Sequence, residues 1–391
     1  MDRIAAAKRY AVPKVNIEYY FLFIITFMLF AFGILIVFSS STTYGERYFN
    51  DPYWFIRRQL IWSAISFIFF IIFSKFNYHN YSKLSNFIIV ITIGLLALVL
   101  IPGFSIEVGG SKRWLNLLFF NVQPSEFTKI AVIIYLSEVL NRRYRNIYRI
   151  KNIIFPAFLT LFLITFLIFL EPDLGSVIVI WAVVFTILFA AEVKFKHIIG
   201  LGFMWLVITV GYLFMEEYRR VRIFAFINKA GEHSQANFQV TQSLIALGSG
   251  NITGLGLGNS IQKYFYLPEA HTDFIFAIIG EELGLIGTIF IVILFLLFTF
   301  FGIRVCLKAK DYFGRILAAG CTSLIAIQAM INIYVVIGLI PVTGLTLPFI
   351  SLGGSSMLTS MVSTGILLNV SRLSAATLEK AEEDNKDNNQ N

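Results

Sequence analysis

Uninterrupted apolar runs of roughly 17 to 25 residues, the length that carries a helix across about 30 Å of hydrocarbon, recur along almost the whole chain. Stretches such as 21–38 and 289–301 are apolar on every side. They lack the alternation of barrel strands and are long enough to satisfy their own backbone in lipid, so they read as helices. With 57% hydrophobic and 14% charged positions in 391 residues, the chain carries more apolar surface than a soluble core of that length could hide. The expected fold is an all-α polytopic membrane protein.

Spans fall near 19–38, 58–74, 84–102, 125–140, 153–170, 175–191, 197–215, 272–301, 313–339 and 346–369, about ten transmembrane helices. Most of the 31 basic residues then fall in alternate loops, with Arg142, Arg143, Arg145, Arg149 and Lys151 in one short connection. By the positive-inside rule both termini are cytoplasmic, and a large extracytoplasmic loop, 216–272, lies between helices 7 and 8. The expected organisation is a cytoplasmic segment 1–18, one membrane domain 19–371 and a cytoplasmic tail 372–391, acidic and Asn-rich, whose composition reads as disordered. The first span has no convincing cleavage site and stays as an anchor. The net charge of +8 follows from the loop bias and gives no support to nucleic-acid binding. Cys306 and Cys321 suggest neither a disulfide nor a metal framework.

Charge and irregular backbone survive at membrane depth only where protein or a wet cavity satisfies them, so the interruptions carry the functional information. Gly109-Gly110-Ser111-Lys112-Arg113-Trp114 leads into Gln123-Pro124-Ser125-Glu126-Phe127-Thr128-Lys129. Pro124 suits a first helical turn, and Glu126 and Lys129, three apart, share one helical face. They form either a structural ion pair or a pair lining a polar cavity. Glu171-Pro172-Asp173-Leu174-Gly175-Ser176 makes a tight turn bearing two carboxylates, either solvated or functional. The long loop opens on Arg219, Arg220 and Arg222, whose guanidinium forks suit pyrophosphate, with lipid headgroups as the competing partner. Its glycines, from Gly248 to Gly258, follow no strand, so they read as close packing of a re-entrant element and not as a nucleotide fingerprint. It closes on Leu267-Pro268-Glu269-Ala270-His271-Thr272-Asp273-Phe274 before an apolar helix containing Glu281 and Glu282. Thr272 is a candidate N-cap there, Asp273 a first-turn anion or a general base, and His271 an orienting or titrating neighbour. Finally, Pro341 and Pro348, with Gly344, Gly353 and Gly354, cannot form a straight lipid-facing helix and read as a broken or kinked helix lining a central cavity, ending in Ser355 and Ser356.

These motifs, in their order and over almost the whole chain, resemble the SEDS family (shape, elongation, division and sporulation). Gly258-Asn259-Ser260-Ile261-Gln262-Lys263 and Ala270 are similar to the division members of that family. The resemblance implies a peptidoglycan glycosyltransferase that polymerises lipid II on the outer face of the bacterial cytoplasmic membrane, with a class B penicillin-binding protein and other division proteins as partners. It puts the essential loop aspartate at Asp273 and the functional Glu and Lys of the fourth span at Glu126 and Lys129. Lys112, Arg113, Asp173, Arg219, Arg220, His271, Ser355 and Ser356 are the substrate-binding candidates. A divalent cation is compatible with pyrophosphate chemistry, although no cluster has metal-ligand spacing. The chain departs from the family pattern at Leu352, usually aromatic, at Asn251, usually glycine, and at Asn228-Lys229, where Asp-Pro is expected. A lipid-linked precursor flippase and a non-catalytic scaffold are the alternative readings.

Overall fold

The computed structural model describes residues 16–108, 111–117, 120–142, 154–215, 220 and 235–388. Eleven helices and one small sheet occur among them. The helices are α1 (Ile17–Phe49), α2 (Trp54–Lys75), α3 (His79–Val99), α4 (Pro124–Arg142), α5 (Ile154–Leu170), α6 (Leu174–Ala190), α7 (Phe195–Met215), α8 (Gln235–Ser249), α9 (Ile275–Lys308), α10 (Tyr312–Val336) and α11 (Gly354–Asn388). Each expected span has its helix. The chain is a multi-pass membrane protein: α1, α2, α3, α7, α9 and α10 are each long and apolar enough to cross a membrane, and α5 and α6 are shorter apolar helices. The more polar α4 and α11 lie inside the bundle, where neighbouring helices shield their charges and hydroxyls from lipid. The side chains outside this core, such as Phe203, Phe214, Leu296 and Phe300, are large, apolar and exposed.

Three elements differ from the sequence reading. Between α3 and α4 the chain forms an antiparallel sheet, β1 (Ser105–Val108), β2 (Ser111–Leu117) and β3 (Phe120–Val122), in the order β1-β2-β3. Its strands are too short to register against the helical pattern, and in β2 Leu115 turns inward while Lys112 and Asn116 face out. The long loop contains a helix, α8, tied to the end of α10 where Ser243 Oγ donates to Val336 O at 2.7 Å. The last span begins at Gly354, because residues 337–353 are non-helical. Gly338 and Gly344 there hold φ of +72° and +74°, and Ser351 Oγ takes the Leu347 N–H at 2.7 Å, so of the two readings, broken or kinked, the break is what forms, and it is longer than expected. Beyond residue 371 the backbone of α11 stays helical to Asn388, through the segment whose composition reads as disordered.

Close approach between elements depends on glycine. A Cβ on Gly354 would meet the Trp62 ring at 2.2 Å and one on Gly365 the Phe70 carbonyl at 2.8 Å, so α11 lies almost backbone to backbone against α2. At one end of the bundle Glu18 accepts from Lys308 at 2.8 Å and Arg304 at 3.0 Å, while Asn369 Nδ2 donates to Ser74 O. The other end gathers the sheet, the α5–α6 turn, the 250–274 loop and the 337–353 segment, and all the interruptions converge there.

Candidate functional site

α4 begins where Pro124 can occupy a first turn, and its first two turns are buried. On that buried face Lys129 Nζ donates to Glu126 Oε1 at 2.6 Å, with side chains 1% and 6% exposed. A buried pair holds only when further hydrogen bonds help satisfy it. The same ammonium donates to Gln328 Oε1 at 2.9 Å, and Gln328 Nε2 lies 3.1 Å from Thr346 O and 3.4 Å from Ser356 Oγ. Thr346 Oγ1 in turn donates to Ser356 Oγ at 2.7 Å. The pair is therefore knitted to α10, to the 337–353 segment and to the start of α11. Among the described residues Glu126 Oε2, which is buried, has no hydrogen-bond partner.

In the Glu171–Pro172–Asp173 turn both carboxylates are buried, while Pro172 is exposed. Asp173 is the N-cap of α6, accepting from Ser176 N at 3.1 Å and Ser176 Oγ at 2.8 Å, and it also accepts from Ser125 Oγ at 3.0 Å and Gln123 Nε2 at 3.1 Å. Burial works against its charged form, but the Arg113 guanidinium, the Ser176 bonds and Lys129 together hold its carboxyl below the usual range. Gln123 N also donates to Ser355 Oγ at 3.0 Å. Asp173 thus joins α4 to α6, and Gln123 links the pair on to α11. Glu171 is fully buried, and among the described residues neither of its carboxyl oxygens has a hydrogen-bond partner. Burial first, then the neighbouring Asp173 charge, pushes it up to about 9 against the pull of Arg113, so it holds a proton at neutral pH. Arg113 Nε donates to Glu171 O at 3.0 Å and its Nη2 to Pro172 O, so this arginine braces the turn.

Asp273 lies before α9, not within it. The helix starts at Ile275 with Phe274 at its N-cap and no side-chain cap bond. Thr272 Oγ1 instead donates to Glu269 Oε2 at 2.7 Å, so it does not cap α9 as the sequence suggests. The turn is closed by the N–H groups of Thr272 and Phe274 on Glu269 O, both at 3.2 Å. The Asp273 carboxylate faces Gly344, whose added Cβ would lie 3.7 Å from Oδ2. Thr343 and Leu345 on either side of Gly344 pack on Gly175 in the first turn of α6. The 337–353 segment is thereby shared between Asp273, the Asp173 turn and the Lys129 pair. His271 is buried between Tyr44 and Phe55, at 4.7 and 5.1 Å between ring centroids, and burial depresses its basicity against the charge of Glu269. Its link to the site is through its carbonyl, which accepts from Leu352 N at 3.0 Å.

The site therefore unites Glu126, Lys129, Asp173, Asp273, Ser355 and Ser356, with Arg113 as a brace. Lys112 is exposed on β2, Arg220 is exposed, and Arg219, Arg222 and Asn228-Lys229 lie outside the described residues. Among the described residues no group of three or more His, Cys, Asp or Glu side chains could hold a metal ion. Gln328 and Asn332 belong to this hydrogen-bonded network and were missed by the sequence reading. They occur as two amides four apart in an otherwise apolar stretch of α10, and that spacing was the available signal.

The glycine-rich loop packs its backbone closely against α9. Gly250 and Gly254 sit against the backbone of residues 280–283, and α9 breaks at Gly284 with φ of +67°. Leu255 and Gly256 N–H donate to Glu281 O and Glu282 O at 2.9 Å, while Leu285 and Ile286 N–H donate back to Asn251 O and Ile252 O at 3.0 and 3.2 Å. The two carboxylates are internal too: Glu282 accepts from Ser39 Oγ at 2.7 Å and Lys263 Nζ at 3.1 Å, and Glu281 from Ser260 Oγ and from Ile261 N at 2.9 Å.

A family model described as cell cycle protein, covering FtsW, RodA and SpoVE, matches residues 20–376. Stage V sporulation protein E of Bacillus subtilis (strain 168) is 42% identical over 353 residues, 90% of this chain and 96% of that protein. A probable peptidoglycan glycosyltransferase FtsW of Geobacter sp. (strain M18) is 39% identical over 344 residues, 88% of this chain and 94% of its own. Among solved structures, a chain of a peptidoglycan synthase complex superimposes with a TM-score of 0.72 at 24% identity, over 90% of this chain and 97% of that one. The rod shape determining protein RodA of Thermus thermophilus gives 0.65 at 24% identity, over 90% and 95%.

Proposed function

The chain belongs to the family of cell cycle proteins that comprises FtsW, RodA and SpoVE, and from that premise we propose that it is a peptidoglycan glycosyltransferase polymerising lipid II into glycan strands at the outer face of the bacterial cytoplasmic membrane. The observation that carries the reading is the internal polar site at one end of an apolar bundle, where a half-buried carboxylate, Asp273, is joined through one loop to a buried ammonium, Lys129. Polymerisation needs a group that takes the proton from the acceptor hydroxyl while that oxygen attacks the anomeric carbon of the donor. It also needs a cation where the bond to undecaprenyl pyrophosphate breaks and negative charge collects. Asp273 suits the first role, because a positioned carboxylate is an efficient general base. Lys129 suits the second, held by Glu126 and Gln328, because a preorganised cation in a dry site stabilises developing charge without reorganising. Asp173 and Ser355 order the wall between them, and Arg113 orders the turn bearing Asp173.

A class B penicillin-binding protein, which crosslinks the strands, is the expected partner, and the division septum the expected place of work. Likeness to FtsW proteins supports this duty, while the sporulation relative supports a forespore role. A fluorescent fusion at vegetative septa favours division, and one seen only in sporulating cells favours the other.

The decisive experiment follows labelled lipid II into polymer with purified protein and its cognate class B penicillin-binding protein. Wild type is expected to polymerise and Asp273→Asn to lose at least about a hundredfold while folding normally. Polymer from neither would overturn the enzymatic reading, and polymer from both would remove Asp273 as the base.

A further inference from the structure

Base and cation come from segments far apart in sequence: Asp273 from the turn before α9, Lys129 from the second turn of α4. Nothing local fixes their separation. α10 supplies what is missing. Asn332 gives both of its amide N–H bonds to backbone, to Asp273 O and to Leu345 O, each at 2.7 Å. One turn earlier Gln328 accepts from Lys129 Nζ at 2.9 Å and directs its Nε2 to Thr346 O at 3.1 Å. The two amides thus grip consecutive residues of the 337–353 segment while each holds one half of the chemistry. Four residues of helix rise about 6 Å, so their anchor points are set by a rigid rod and not by loops. The carbonyls of the two residues before Asp273 are tied as well, Thr272 O by Ser351 Oγ at 2.6 Å and His271 O by Leu352 N at 3.0 Å. Three successive carbonyls are therefore anchored from one side.

We propose that Gln328 and Asn332 are positioning residues that set the separation of Asp273 and Lys129 for glycosyl transfer. This rests on the glycosyltransferase reading above, and the roles are indirect: neither amide is assigned contact with the reacting atoms. A misplacement of about 1 Å can lower a rate about a hundredfold without weakening substrate binding.

The test compares wild type, Gln328→Met and Asn332→Asp, reading kcat and KM for lipid II together with backbone hydrogen exchange. Asn332→Asp keeps the shape but loses at least one of the two bonds. Expected is a roughly 10- to 100-fold fall in kcat for each variant with KM for lipid II within about threefold of wild type. For Asn332→Asp, exchange over residues 269–277 should rise about tenfold, with the rest of α9 and α10 unchanged. Wild-type kcat in both variants, or unchanged exchange at 269–277, overturns the inference, and so does faster exchange throughout the protein, which marks a merely structural amide. If wild type itself makes no polymer the glycosyltransferase reading fails, whereas the exchange arm still decides whether Asn332 holds the Asp273 turn.

Discussion

Buried charge at Glu126 and Lys129 sets a sharp condition on single substitutions. Removing Lys129 strands a carboxylate in the bundle, and breaking a buried pair from one side costs about 3–5 kcal/mol. Lys129→Met is therefore expected to lower both melting temperature and polymer yield. The double change Glu126→Gln with Lys129→Met removes both charges, so melting in detergent should return towards wild type while polymerisation stays at least about a hundredfold down. Recovery of activity together with stability would show that the pair is structural only. Glu171 offers a pH test. Its folded pKa, raised from 4.5 to about 9, means that the folded state takes up a proton which the unfolded state lacks in between. The stability this contributes is complete below pH 4.5 and is lost as pH rises through about 9. Glu171→Gln keeps the neutral shape without the proton uptake. It should melt several degrees above wild type at pH 8, the gap closing towards pH 4.5, whereas parallel melting curves at both pH values would mean the carboxyl is ionised. At this scale the sequence exposed the charged residues but not their surroundings. Asp173 stands in a Pro-containing turn that reads equally well as solvated, and only tertiary contacts from Ser125 and Gln123 bury it.

Packing between elements turns on whether backbone can touch backbone. A Cβ on Gly254 would meet Glu282 O at 2.2 Å, and the residue holds φ of +81°, so Gly254→Ala meets both overpacking and strain. A loss of about 3 kcal/mol follows, read as a fall of roughly 4 °C in melting temperature. Gly94, in α3, has nothing within 4 Å of an added Cβ, so Gly94→Ala should melt at or slightly above wild type. Equal effects at the two positions would contradict the stitched loop. Two of the three departures from the family pattern are explained at this scale, the third, at Asn228-Lys229, lying outside the described residues. Asn251 holds φ of +47°, a conformation that asparagine tolerates better than most residues, so glycine is dispensable there. Leu352 serves through its backbone N–H, which any non-proline side chain supplies. The long helices were legible because a span demands a length of apolar sequence that little else produces. The sheet and α8 were not, and the break before the last helix was legible only as an interruption and not in its extent, because short elements at the bundle end are fixed by what they pack against.

At the scale of the whole molecule, polarity is sorted by depth and by end. Large apolar side chains are exposed along the outside of the bundle, the internal polar network is confined to one end, and the ion pairs of Glu18 with Arg304 and Lys308 mark the other. That division is what a polymerase fed with lipid-linked precursor requires, since the undecaprenyl chain must stay in lipid while its pyrophosphate reaches a polar site. It also makes the orientation testable. Basic-residue bias puts the site end outside, and a single crossing, α9, separates the exposed Tyr264 near the site from the exposed Lys310 beyond the opposite end. In a variant lacking Cys306 and Cys321, Tyr264→Cys should react with a membrane-impermeant maleimide in intact cells, and Lys310→Cys only after permeabilisation. The reversed pattern would put the site in the cytoplasm and favour precursor handling before export. Reaction at both positions in intact cells would mean that α9 does not span, and the ten-span topology would fall with it.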